Sequence, residues 1–356
     1  VGVDLRIGIS GWRYTPWRGD FYPEGLVQKR ELEFASRAVN SIEINGSFYA
    51  LQKPASYATW YANTPDDFIF SVKAPRFITH VKRLRDIEEP LANFFASGVF
   101  QLKEKLGPFL WQFPPNFKFD PDLFRNFFKQ LPHTGKAAKA CARHCSERMV
   151  TEGYLDIPLK QTLRHAIEIR NATFVTLEFI QLLREFKIAL VFADTAGKWS
   201  YAEDITSDFI YIRLHGDKEL YTSGYDEAAL EYWYQRIKTW SNGKQPGDSP
   251  LIAQNAQKIN TSRDTASVKT RNVYCYFDND VKVRAPYDAR RLLEKFNLAG
   301  NLAAEPGKMM ESKTTYKNSI EAKTSENPRT TKESKRTTKE QQKNNKRTTK
   351  EKKQSK

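Results

Sequence analysis

Three pairs of side chains, each two residues apart, are the first candidates for chemistry: Glu43 with Asn45, Glu168 with Arg170, and Arg213 with His215. Alternation along an extended chain puts both members of a pair on one face, leaving Ile42 and Ile44, Ile167 and Ile169, or Ile212 and Leu214 on the other. Lys73, Gln112, Asp194 and the trio Asp278, Asn279 and Asp280 stand at the downstream ends of similar apolar runs. Burying an unpaired charge is costly, so groups gathered in one place must pair or bind something. Lys73, Arg170 and Arg213 suit a phosphate or carboxylate, the arginines bidentately. Glu43, Glu168 and Asp194 suit a base or acid if neighbours tune them, and His215 suits proton transfer near neutral pH. The rings of Trp12, Tyr14, Trp17, Phe48, Tyr49 and Trp111 suit stacking on a base or sugar, and suit plain packing as well. The competing reading is an ion-pair network that closes the fold and binds nothing.

No metal is assigned. Cys141 and Cys145 flank His144 without a second pair at zinc-finger spacing, which reads as a helix face. Glu43, Glu168, Asp194 and His215 are reasonable ligands for Zn or Mn, but no His-x-His or His-Glu-x-x-His spacing supports them. A P-loop and a Gly-x-Ser-x-Gly elbow are both missing, which disfavours Walker-type nucleotide hydrolysis and α/β-hydrolase chemistry. The identity of any cofactor stays open.

Eight strand-like runs carry these residues, at 6–10, 41–45, 68–73, 109–113, 163–170, 187–194, 208–216 and 272–279. Helical patterns separate them. One covers 28–39, one starts at Pro54, and one runs from Pro90 to about 105. Asp120-Pro121 opens the next, followed by stretches at 137–147 and 173–186. Asp226 caps a helix reaching Trp240, and Pro286 opens the last, ending near Phe296. Residues 241–270 read as a loose loop. Alternation of this kind, with no Gly-rich fingerprint after the first strand, predicts a closed (β/α)8 barrel rather than a doubly wound sheet. In such a barrel the strand ends converge on one mouth.

A content of 40% hydrophobic and 13% aromatic residues in 356 supports a substantial core. No apolar run approaches the roughly 20 residues of a membrane span, and no signal pattern opens the chain. Three cysteines make no disulfide framework, which predicts a reducing cytoplasm. The chain opens at Val1, which leaves the true N-terminus undefined. Of 57 Lys and Arg residues, 16 fall in 301–356, against 7 of the 42 acidic ones. Most of the formal charge of +15 therefore belongs to this stretch, where Arg-Thr-Thr-Lys-Glu recurs from Arg329, Arg336 and Arg347. Such a segment cannot bury enough surface to offset its ordering entropy, so a disordered basic tail is expected there, following a barrel domain at 1–300.

The chain resembles the YecE-like family, the domain of unknown function numbered 72. Ile9-Ser-Gly-Trp12 with Tyr14 and Trp17, Phe21-Tyr-Pro23, and Ser41-Ile-Glu-Ile-Asn-Gly-Ser-Phe-Tyr49 carry the likeness first. Phe70-Ser-Val-Lys-Ala-Pro75, Ile78-Thr-His80, Leu106-Gly-Pro108 and Trp111-Gln-Phe-Pro-Pro115 continue it. His165-Ala-Ile-Glu-Ile-Arg170, Tyr211-Ile-Arg-Leu-His-Gly216 and Tyr274-Cys-Tyr-Phe-Asp-Asn-Asp280 complete it, over about residues 6 to 297. The resemblance implies a TIM barrel and supplies no reaction. It draws His80 in beside Glu43, Asn45, Lys73, Glu168, Arg170, Arg213 and His215 as pocket residues. Gly46 departs from the pattern, which leads one to expect a small hydroxyl residue there.

The first functional expectation is an enzyme acting on an anionic substrate, with Arg170, Arg213 and Lys73 holding the anion while Glu168 or Glu43 and His215 move protons. Glu168→Gln and Arg213→Ala would then abolish turnover and leave the melting temperature largely unchanged. The alternative is a nucleic-acid-binding module whose basic tail anchors the phosphate backbone while mouth aromatics stack on bases. A scaffold that docks a partner protein is a third possibility, which no residue favours.

Overall fold

Strands that are apolar on one face and mix small, hydroxyl, aromatic and charged side chains on the other suit a sheet that closes on itself inside a ring of helices. The computed structural model describes residues 3–147, 149, 151–253 and 269–310. Eight parallel strands close in sequence order, β1 beside β2 and so on round to β8 beside β1. They are β1 (Leu5–Ser10), β2 (Ser41–Ile44), β3 (Ile69–Lys73), β4 (Leu106–Gln112), β5 (His165–Glu168), β6 (Ala189–Asp194), β7 (Phe209–Leu214) and β8 (Asn272–Phe277). All eight expected strands form, within a few residues of the expected bounds.

Helices return the chain between them: α1 (Glu31–Ala38), α2 (Gly46–Tyr49), α3 (Pro54–Ala62), α4 (Glu88–Phe95), α5 (Pro121–Gln130), α6 (Gly135–Ala142), α7 (Leu177–Glu185), α8 (Glu227–Ser241) and α9 (Ala285–Lys295). The starts follow local chemistry. Asp120, Thr134, Thr176 and Asp226 each accept a hydrogen bond from a backbone N–H of the first turn, and Pro54, Pro121 and Pro286 sit where no N–H is needed.

The barrel interior is graded. Leu110, Ala166, Ala189, Val191 and Phe209 pack one apolar cluster with Tyr211, Tyr274 and Tyr276. Hydroxyls follow, with Ser41 Oγ and Ser71 Oγ each 2.8 Å from Tyr276 OH. Charged groups crown them at the C-terminal ends. Outside, Phe124, Phe127 and Phe128 of α5 bury themselves with Phe113, Phe174 and Phe179, giving the barrel wall a phenylalanine-rich coat.

The structure departs from the sequence expectation in two helices. The one expected at 137–147 spans Gly135–Ala142, so His144 and Cys145, expected on a helix face, lie past its end. The run expected from Pro90 to about 105 starts at Glu88, ends at Phe95 and resumes as a 3-10 segment, Val99–Lys105. Gly98 between them has φ of 97°, and a Cβ there would lie 2.4 Å from Pro54 Cα. Past the expected domain end at residue 300, Ala304 N donates to Arg37 O at 3.0 Å and Gly307 N to Phe21 O at 2.8 Å; the compact unit ends at Met309. The tail expected at 301–356 lies outside the described residues from 311 onward, as do residues 254–268 of the loop expected at 241–270.

Gly98→Ala combines a left-handed backbone with a clash against main chain, so it should cost about 2–4 kcal/mol. Urea denaturation of the variant beside the parent protein measures this.

Candidate functional site

Arg213 stands where β7 ends and is fully buried. Its Nε and Nη2 donate to the two oxygens of Glu43 at 3.1 and 2.9 Å. Nη1 reaches Glu168 Oε2 at 2.6 Å, and Nη2 also reaches Asp278 Oδ2 and Ser10 Oγ at 2.9 and 3.1 Å. One cation thus holds three carboxylates from β2, β5 and the end of β8. Period two explains the convergence, because Glu43, Glu168 and Arg213 all point inward from strands whose alternate residues pack against the helices. Tyr211, two residues before Arg213, donates its hydroxyl to Glu43 Oε2 at 2.6 Å, and Ser10 Oγ donates to Glu43 Oε1 at the same distance. Asn45 Nδ2 completes the chain by donating to Ser10 Oγ at 2.9 Å.

Burial alone would raise the carboxyl pKa of Glu168 and Asp278. For Glu168 the cations Arg170 and Arg213 outweigh burial, and for Asp278 Arg213 does, so both lie well below the ordinary carboxylate range. His215 is also buried. Its Nε2 lies 3.3 Å from the donor Arg213 Nη1, so it carries the lone pair and the proton sits on Nδ1. Nδ1 is 2.9 Å from Asp278 Oδ2. The Tyr221 ring packs edge-on against the imidazole at 5.3 Å.

Above this network lie groups with less complete partnerships. Arg170 pairs with Glu168 Oε1 at 2.7 Å and stacks on Trp199 with its guanidinium carbon 4.1 Å from the ring centroid. Lys73 is 8% exposed, with Nζ 4.2 Å from the centre of the Phe48 ring. Among the described residues no carboxylate pairs with it and no acceptor hydrogen-bonds it. Burial, with the charge of Arg213, pulls its ammonium down to about 8. Asp280 is pushed up to about 6 by burial and by the neighbouring Asp278. Half-buried His80 is pulled down to about 4 by burial and by the charges of Arg76, Lys73, Arg170 and Arg83.

Glu43, Asn45, Lys73, Glu168, Arg170, Arg213 and His215 therefore meet at one end of the barrel, with Gln112 in register with Glu168. Several expected residues stand apart. Asp194 accepts from Tyr225 OH at 2.9 Å, behind β6, because its strand position points it away from the lumen. Asn279 is buried and donates to Ser223 O and Asp288 Oδ2. Trp12 packs edge-on against Trp60, and Tyr49 is 72% exposed on α2, outside the cup. Gly46 has room for a side chain, since a Cβ there would meet only Gln52 at 3.5 Å, so the departure from the family pattern strains nothing. Sequence reasoning missed Tyr211, which shares the face of Arg213, and Ser10, which ends β1; strand period would have found both. Trp199 lies in the loop after β6, where no periodic signal reports on it.

The strand motifs that converge on Arg213 are those of a known family, described as a protein of unknown function, DUF72, whose match covers residues 6–312. The chain belongs to that family. YecE of Escherichia coli K12 is 32% identical over 113 residues, which cover 32% of this chain and 39% of YecE. YunF of Bacillus subtilis is 31% identical over 121 residues, 32% of this chain and 41% of YunF. The matches thus span about two fifths of those relatives. A crystal structure of a DUF72 family protein from Thermotoga maritima superimposes with a TM-score of 0.59 at 22% identity, over 83% of this chain and 99% of that one. One from Enterococcus faecalis gives 0.56 at 16%, over 86% and 99%. These likenesses establish the barrel fold of the DUF72 chain. Among the described residues no three His, Cys, Asp or Glu side chains are grouped to share a metal ion, and no helix is long and apolar enough to cross a membrane.

Arg213→Met strands three buried carboxylates and should cost about 3–5 kcal/mol at pH 7, contrary to the expectation of an unchanged melting temperature; urea titration reads it. Asp280 offers a second test. Its folded pKa lies above its unfolded one, so the native state loses stability as pH rises from about 4 through 6. Asp280→Asn should therefore be more stable than the parent by on the order of 1 kcal/mol at pH 8, discounted for partial exposure, with no gain at pH 3. Denaturation at both pH values checks the sign.

Proposed function

We propose that this DUF72 protein is an enzyme that takes an anionic, phosphate- or carboxylate-bearing substrate at the C-terminal mouth of its barrel and works by acid-base chemistry. The observation that carries the reading is the set of four cations, Arg76, Lys73, Arg170 and Arg83, whose charge depresses the half-buried His80. Of the four, Arg170 is paired with Glu168, and the excess of positive charge over carboxylates favours an anion at that side of the mouth. Arg213 has its guanidinium N–H groups committed to the protein, so it acts as the scaffold, and Glu43 and Glu168 serve with it. Asp280 at about 6 and Lys73 at about 8 bracket neutral pH, which suits one to take a proton and the other to give one. A reducing cytoplasm suits the three free thiols, Cys141, Cys145 and Cys275.

One observation favours nucleic acid as a second reading. Tyr49 at 72% and Phe77 at 49% exposure lie on the β2 and β3 loops, where Arg76, Lys82, Arg83 and Arg85 supply cations for a phosphate backbone.

Imidazole NMR titration decides. Inorganic phosphate bound among the four cations should move the pKa of His80 upward from about 4 towards 6.5, and Arg170→Gln should blunt that movement. A His80 titration indifferent to phosphate refutes the anion site. A response to single-stranded oligonucleotide alone, falling steeply with salt, selects the second reading.

A further inference from the structure

We propose that Lys73 is a nucleophile that forms an imine with the carbonyl carbon of a small 2-oxo acid or phosphorylated aldehyde, so that the barrel mouth does carbonyl chemistry through a covalent enzyme-bound intermediate. This deepens the anionic-substrate reading and rests on it. Position is the first argument. Lys73 is the last residue of β3, on the inward face that Ser71 shares, at the end of the barrel where the βα loops converge. Ser47 Oγ donates to the Lys73 carbonyl oxygen at 2.6 Å, fixing the backbone that aims the side chain.

Partnership is the second argument. Three other buried cations of the body are spoken for: Arg213 by three carboxylates, Arg236 by Glu203 and Asp248, and Lys105 by the Tyr61 and Thr64 carbonyl oxygens. Among the described residues Lys73 makes no ion pair or hydrogen bond, and its Nζ meets the face of Phe48. A lysine kept for charge pairing would be met by a carboxylate, yet Glu43, Glu168 and Asp278, all nearby, are turned towards Arg213 instead. A buried ammonium close to a guanidinium loses its proton easily, in line with its lowered pKa of about 8. At neutral pH it would present about two orders of magnitude more free amine than a surface lysine.

The step balances without an added oxidant or reductant. The amine lone pair attacks the carbonyl carbon, the carbonyl oxygen takes up a proton, and the resulting carbinolamine loses that oxygen as water when the C=N bond forms. The protonated imine then withdraws electrons from the adjacent carbon, where a C–H or C–C bond can break. Arg170, whose outer N–H groups lie beyond its Glu168 pair, would hold the carboxylate or phosphate.

Trapping tests the inference. The full chain is incubated with glyoxylate, or with glycolaldehyde phosphate, and cyanoborohydride at pH 7, then digested and mapped by mass spectrometry. The reduced adduct should accumulate on Lys73 at least about tenfold faster than on any other lysine, given its larger free-amine fraction. Lys73→Met should lose that adduct while its melting temperature stays near that of the parent. Uncharged glycolaldehyde should label Lys73 more slowly than the two anionic probes. Adducts spread evenly over surface lysines, or none on Lys73 with either anionic probe, overturn the inference. If His80 still responds to phosphate in that case, the anion site stands and only the covalent step falls. If it does not, both fall.

Discussion

The grip of Arg213 on Glu43, Glu168 and Asp278 is the constraint from which the upper half of this barrel follows. A guanidinium can be buried this deeply only when its donors are matched by acceptors fixed in place, and three strands must arrive in register to supply them. Around it Tyr211, Ser10 and Asn45 satisfy the remaining lone pairs. The network spans β1, β2, β5, β7 and the end of β8, so it ties the barrel across its diameter as well as around its rim.

That arrangement separates scaffold from reactive groups. Charges that neutralise one another inside the barrel are unavailable to a ligand, and their low dielectric setting makes them expensive to disturb. Lys73, Arg170, Asp280 and His80 sit one shell further out, where partners are fewer. Burial, with nearby charge, then moves Lys73 down and Asp280 up towards neutrality and moves His80 further below it. Residues chosen from the sequence for one role, as anion clamp or proton carrier, thus divide into two roles once depth in the barrel is known.

The fold was legible because each strand obeys a simple period. Ile42 and Ile44 against Glu43, or Ile212 and Leu214 against Arg213, announce a two-faced strand, and eight such runs alternating with capped helices leave few architectures. Asp120 and Asp226 marked helix starts through side-chain chemistry that is local in sequence. The run ending at Lys105 was less legible, because the break at Gly98 is enforced by the approach of Pro54 from a distant helix. Asp194 misled for the same reason: its residue type and strand end were right, but its face was wrong for the lumen.

By itself, then, the sequence determined the barrel, the end at which polar groups collect, and most of their identities, because period, capping and strand order act between neighbours along the chain. Only the tertiary structure decided which carboxylates meet Arg213, that Lys73 is left without one, and that Tyr225 rather than a ligand claims Asp194. Those outcomes depend on distances between residues 31 positions apart, as for Asp194 and Tyr225, to 170 apart, as for Glu43 and Arg213, and on how deeply each lies beneath the rim. Charge and hydrogen bonding are fixed by proximity in space, and no local pattern encodes that.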